Sequence, residues 1–248
     1  MPAASFFFLT VGLTLLCPME VNKSPSESVH PTQIKEIPLP EGYERLYFRE
    51  NSFEHFLQQQ TLKKDRTVYL YNGKPKYNQT AQYAVLNITV GNKDLQQCAD
   101  AVMRLRAEYL KQQQKPICFA DNANKKYCWE QYKQRGWQGY LETVFGMCGT
   151  ISLEKELKAK DWRNLTAGDV LIKGGSPGHA VIVMDVARHK TTDKLIFLLA
   201  QSYMPAQDIH VLQNLNDKSL SPWYRAPLAE TIATPEWTFY ASQLRSWR

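Results

Sequence analysis

Cys98 stands where a helix is expected to begin. Asp94 can cap that helix, and Gln97 follows three residues later in the reciprocal capping position. A thiol in the first turn faces unpaired amide hydrogens and the positive end of the helix dipole. Both favour the thiolate, which is the nucleophilic form. His179 opens an apolar stretch directly after Gly174-Gly175-Ser176-Pro177-Gly178. An imidazole at a strand mouth beside a flexible loop can face a cleft and a neighbouring helix together, and can act as a base. Gln201 follows the next apolar stretch. If the two stretches pair as a hairpin, Gln201 lies beside His179 and holds the ring, the third role in a Cys/His/amide triad. Ser202 is the alternative for that role. The competing reading makes Cys98 a small buried hydrophobe on an apolar stripe and His179 a core histidine bonded to backbone.

Other reactive residue types show weaker patterns. Asp185, His189 and His210 match no metal-site spacing, so no metal and no cofactor are expected; Asp185 and His189 read as solvated residues at a strand end. Cys118 and Cys128 flank the polar loop 121–126 and can form a local disulfide in an oxidising compartment. Asp100 reads as a solvated first-turn acid. Tyr203, Trp223 and Tyr224 would either line a sugar or peptide cleft or pack into the core.

The elements that must position these groups follow from periodicity. Residues 51–57 suggest a short helix with Phe53, Phe56 and Leu57 on one face. Residues 67–71, ending at the turn pair Asn72-Gly73, and 83–90, stopped by Gly91, are strand candidates. The helix of Cys98 carries Cys98, Val102, Leu105 and Tyr109 as a buried stripe, places Arg104, Arg106 and Lys111 on its wet side, and ends at Pro116. Residues 143–147 and 151–157 read as short helices around Gly149-Thr150. Residues 168–172, 178–186, 194–200 and 208–212 read as four strands. A long helix followed by a meander of strands points to an α+β fold with an antiparallel sheet.

The amino end has a different character. Residues 6–16 form an apolar run shorter than the about 20 residues a spanning helix needs. The run fits the core of an export signal, and Cys17 directly after it offers a site for lipid attachment. Residues 1–20 are therefore expected to be a signal peptide or lipoprotein signal. Residues 21–36, containing Ser24-Pro25-Ser26-Glu27-Ser28, are expected to be a tether, and 37–248 a single domain. The expected location is outside the cytoplasm: periplasmic, on the outer membrane as a lipoprotein, or secreted. Contact with membrane is expected only through the signal or a lipid anchor.

The chain has 248 residues, 44% hydrophobic and 22% charged, with a net charge of +6. That composition excludes a disordered chain, a collagen and a coiled coil. There is no long basic run, zinc-finger spacing or glycine-rich phosphate loop, so no nucleic-acid partner is expected.

The blocks 165–172 and 176–183 resemble the Gly-Asp…Gly-His segment of papain-like cell-wall hydrolases of the NlpC/P60 and CHAP groups. The resemblance implies a papain-like, NlpC/P60-like fold with the helix of Cys98 packed on the sheet. It matches Cys98 to the nucleophile, His179 to the base and Gln201 to the orienting residue. The Gln96-Gln97-Cys98-Ala99-Asp100 block lacks the Asp-Cys-Ser pattern common in NlpC/P60 proteins. A wider likeness over about residues 38 to 225 is carried by the blocks 94–102, 174–181 and 198–207. These blocks are similar to a bacterial family of exported or lipid-anchored proteins, the domain of unknown function 4846. Together these readings lead to the expectation of an exported cysteine-dependent amidase or peptidase acting on peptidoglycan or another peptide or amide. The alternative is a non-catalytic envelope binding protein or accessory lipoprotein.

Overall fold

The computed structural model describes residues 1–4, 30–226 and 230–247. The apolar run 6–16, Cys17 and the Ser/Pro/Glu segment 24–28 lie outside the described residues. Every element below belongs to the compact unit Pro31–Arg248. No helix among the described residues is long and apolar enough to cross a membrane.

In chain order the elements are β1 (Tyr43–Arg45), α1 (Phe53–Gln58), β2 (Gln82–Val85), α2 (Cys98–Gln112), β3 (Cys118–Ala120), β4 (Lys126–Cys128), α3 (Trp129–Tyr132), α4 (Gly136–Met147) and α5 (Thr150–Glu156). There follow β5 (Lys158–Ala159), β6 (Val170–Lys173), β7 (His179–His189), β8 (Leu195–Gln201), β9 (His210–Leu212), β10 (Tyr224–Arg225), β11 (Thr231–Ala233), β12 (Thr238–Tyr240) and β13 (Leu244–Ser246). The main sheet runs β2-β9-β8-β7-β6-β13-β5, with β1 beside the far end of β7 and β10 beside β8. All its pairings are antiparallel. The fold is therefore mixed α+β, with a large antiparallel sheet and few helices.

β7 and β8 form the spine because both read as apolar on both faces, the pattern of a strand covered from two sides. Ala180, Ile182, Met184, Ile196, Leu198 and Ala200 join the core under the helices. Val181, Val183, Val186, Phe197 and Leu199 join a second core, where Ile232 of β11 and Phe239 of β12 cover them. A register shift between Val183 and Asp185 changes the alternation, so that Val186 and Ala187 face opposite ways from a simple count.

Several expectations change. The helix cap is Gln97, not Asp94: the Asp100 carboxylate accepts the Gln97 amide at 2.9 Å. Asp94 instead ties a loop, accepting from the Gln97 side chain at 3.1 Å and the Ala206 amide at 2.7 Å. Val102, Leu105 and Tyr109 are buried as the stripe requires, but so is Arg104, which pairs with Glu108 at 2.8 Å and reaches Gln96. Residues 67–71 make only isolated bridges, because Leu70 turns back on Lys74 while Tyr71 and Tyr69 bond to the 206–208 segment. The 83–90 strand stops at Val85, since its partner β9 has three residues and Asn87 passes to Thr61.

The expected tether 21–36 also ends too late. Gln33 bridges to Thr61, and a 3-10 turn at Ile34–Glu36 buries Ile34 and Ile37 completely. Ile34→Ala should therefore cost about 2–4 kcal/mol of unfolding free energy in a urea titration, the range for emptying a buried aliphatic site. A chain beginning at Ile37 should lose at least as much. A midpoint unchanged in both would show that residues 31–36 contribute nothing to the fold.

Candidate active site

The β7–β8 hairpin sets the site. Ile182 pairs with Ala200, so by alternation His179 and Gln201 emerge on the same sheet face, the one carrying Val181, Val183 and Leu199. Their side chains meet: His179 Nε2 lies 2.9 Å from Gln201 Oε1, and both residues are buried. The β11–β12 hairpin closes over the ring. Trp237 and Phe239 lie 5.4 and 5.8 Å from the imidazole centroid, and Tyr203 meets it edge-on at 4.9 Å.

Two charged residues extend this contact, and neither stood out in the sequence. Gln201 Nε2 donates to Glu236 Oε2 at 2.6 Å, and Lys76 Nζ donates to the same oxygen at 2.7 Å. Glu236 comes from the turn between β11 and β12, and Lys76 from the loop beyond Gly73. No periodicity or spacing links positions 76, 201 and 236, so only the folded chain brings them together.

Since Glu236 takes the amide nitrogen of Gln201, the amide oxygen accepts from the ring, and His179 carries its proton on Nε2. Nδ1 is then the basic nitrogen. Burial, reinforced by the Lys76 charge and opposed by the Gln201 bond, pushes the His179 pKa down to about 4. His210, the partner of Gln201 in β9, is fully buried and pushed down to about 3, again mainly by burial and then by Lys76. Its Nδ1 donates to the Asp208 carbonyl at 2.9 Å, and its Nε2 is buried without a partner.

Cys98 is reduced and is the first residue of α2. Its sulfur lies against the amide of Ala180, the residue after His179, and against the amide of Ala99. It opens on a cleft of about 360 Å³ walled by Gly149-Thr150 on one side and Gly175-Ser176-Pro177-Gly178 on the other. Thr150 Oγ1 holds the loop through Gly175. A Cβ on Gly178 would meet the Gly175 carbonyl oxygen and Thr150 Oγ1, each at 2.5 Å, so only glycine lets the loop approach this closely.

The electrostatics reverse one expectation. A helix N-terminus lowers a thiol pKa, yet Cys98 is pushed up to about 11, first by burial and then by the Asp100 charge. Desolvation exceeds the dipole here, because the first turn of α2 is covered instead of facing water. Asp100 is itself buried, its pKa raised well above the carboxylate range by burial, with Oδ1 unpartnered. It is not the solvated acid expected. Cys148, a second buried free thiol on the same cleft, is pushed up to about 12. At neutral pH the cleft therefore holds protonated thiols, and the His179 imidazole, under the β11–β12 hairpin, is neutral.

Of the remaining candidates, Asp185 is fully buried, bonded to Arg45 and to Gln58 of α1 at 2.8 and 2.7 Å, so it is no solvated strand end. His189 packs edge-on against Tyr43. Among the described residues no three His, Cys, Asp or Glu side chains cluster as metal ligands. Trp223 and Tyr224 are core residues, whereas Tyr203 lies beside the site. Cys118 and Cys128 form a disulfide across the β3–β4 pair.

A family model described as Domain of unknown function (4846) matches residues 34–137 and 119–246. No curated protein and no solved structure matches the chain.

The buried histidines make stability depend on pH. Their folded pKa values lie below the unfolded value of 6.5, so the stability they contribute is present above pH 6.5 and is lost as pH falls towards 4 and 3. Near pH 5 each costs one proton on unfolding. His210→Asn should therefore reduce the slope of unfolding free energy against pH there by about 1.4 kcal/mol per pH unit, measured by urea titrations from pH 4.5 to 7. An unaltered slope would mean that His210 is charged in the fold.

Proposed function

We propose, from the premise that this chain belongs to the family described as Domain of unknown function (4846), that it is a cysteine-dependent amide hydrolase. The observations that support this reading are the His179–Gln201 bond, which leaves Nδ1 basic, and a reduced Cys98 that opens on a cleft with its sulfur against the amide of Ala180, the residue after His179. In the reaction the Cys98 sulfur attacks the amide carbonyl carbon as its proton passes to His179 Nδ1. The Cys98 amide stabilises the oxyanion. His179 then returns the proton to the departing amine as the C–N bond breaks, leaving a thioester. Water attacks the thioester carbonyl, giving its proton to His179. The C–S bond breaks, a carboxylic acid leaves, and the thiol regains its proton. Gln201 holds the imidazole throughout.

The arrangement of a cysteine at a helix start, a histidine at a strand start and an amide at the end of the next strand supports a papain-like topology of NlpC/P60 type. The Cys118–Cys128 disulfide supports an oxidising compartment, and with it export and a peptide or peptidoglycan substrate. A second reading, a non-catalytic envelope binding protein, is favoured by one observation. The His179 ring emerges on the sheet face covered by the β11–β12 hairpin, whereas Cys98 belongs to α2, which packs on the opposite face with Ala180 and Ile182.

Alkylation of Cys98 by iodoacetamide, followed by mass spectrometry, separates the two. If His179 serves as base, His179→Ala should slow Cys98 alkylation at pH 7 by ~10²-fold, and hydrolysis of peptidoglycan fragments should vanish in Cys98→Ala and His179→Ala. If alkylation rises tenfold per pH unit up to about 11 in both wild type and His179→Ala, Cys98 is an ordinary buried thiol and the binding reading stands.

A further inference from the structure

We infer that Glu236, anchored by Lys76, is a positioning residue that fixes the orientation of the Gln201 amide and thereby the tautomer of His179. The inference rests on the proposed role of His179 as base, but its central consequence is measurable without turnover.

A glutamine amide is ambivalent. One end accepts hydrogen bonds and the other donates, and a half-turn of the terminal torsion exchanges them. If the nitrogen of Gln201 faced His179, the ring would have to accept at Nε2. Its proton would move to Nδ1, and the nitrogen needed as base would be blocked. Nothing in a Gln–His pair alone chooses between the two arrangements.

Glu236 makes the choice. A carboxylate only accepts, so the end of the Gln201 amide facing it must be the nitrogen. The contact is short, 2.6 Å, as expected of a hydrogen bond to a charged acceptor. Lys76 in turn only donates, and its 2.7 Å ion pair holds the same carboxylate oxygen. The direction of every hydrogen bond then follows from the two charged ends: Lys76 donates to Glu236, Glu236 accepts from Gln201, and Gln201 accepts from His179.

The surroundings support this assignment. The Lys76 and Glu236 side chains are 8% and 13% exposed, so water competes weakly for either end of the chain. A buried ion pair is a poor source of stability, since desolvation offsets most of the attraction. Direction is what this pair supplies. Trp237, the neighbour of Glu236 in the same hairpin, covers the imidazole. One hairpin thus both orients the amide and keeps its bond to the ring dry.

The test is nitrogen NMR of histidine-labelled full-length protein at pH 7, with the His179 signals assigned against His179→Asn. Wild type should show a single neutral tautomer protonated at Nε2. Glu236→Leu should give a mixture or the Nδ1-protonated form. Glu236→Gln, whose amide oxygen can still accept, should keep the wild-type signal. Lys76→Met, which leaves the carboxylate but frees it to rotate, should give a detectable Nδ1-protonated fraction. A pure Nε2 tautomer in folded Glu236→Leu would overturn the inference. If that variant does not fold, a pure Nε2 tautomer in Glu236→Ala would do so. With an active enzyme, Glu236→Leu should lower kcat by ~10-fold or more with KM nearly unchanged, because the wrong tautomer is no base, and Glu236→Gln should restore most of it. Absence of turnover in wild type would sink the hydrolase reading and leave the tautomer result standing.

Discussion

A polar group taken out of water must find a partner, and on one face of this sheet that requirement organises everything else. His179, Gln201 and His210 sit among valines, leucines and phenylalanines, where an unbonded imidazole or amide is costly. The solution draws in Lys76 from the amino-terminal half and Glu236 from near the carboxyl end. The β11–β12 hairpin is not part of the main sheet, yet it supplies the carboxylate and two of the rings that seal the imidazole. The apolar core and the polar chain are complementary: without the aromatic cover the hydrogen bonds would be shared with water, and without the bonds the cover would trap unsatisfied groups.

The same requirement explains why the thiol is not primed. The helix dipole and the first-turn amides act on Cys98 over a few ångströms, with effects on the order of 1 kcal/mol. Loss of hydration acts on the whole charge and is larger once the loops 149–150 and 175–178 close over the helix start. Asp100 shows the same balance from the other side. Its carboxyl caps α2, yet burial leaves one oxygen unbonded and drives it towards the neutral acid. Chemistry at such a site requires a base to remove the thiol proton during the reaction, since no thiolate waits in the resting protein.

The central architecture was legible in the sequence wherever a long stretch carried its own period. β7, β8 and α2 lie close to where their apolar patterns put them, and the stretch 174–178 marked the start of β7. The His179–Gln201 contact followed from the β7–β8 hairpin alone. Strands of two or three residues, such as β10 to β13, have no period to read, and they take their conformation from the strands they meet. Burial decided the rest. Asp100 and Arg104 occupy positions that a helical wheel assigns to solvent, but neighbouring loops cover that side. Lys76 and Glu236, 160 residues apart, look like ordinary surface charges until the fold brings them together.

The place of β13 in the sheet bears on how the protein comes to be folded. β13 lies between β6 and β5, pairing with both, although it is synthesised long after either. While the nascent chain is still emerging, β6 can pair with β7 on one edge only, and its other edge presents open amides and carbonyls. Completion of the sheet must therefore wait for Leu244–Ser246, a non-local pairing of the kind that slows folding. Until then the exposed edge is a template for intermolecular pairing, and the interval before β13 docks is when the molecule is most prone to aggregate.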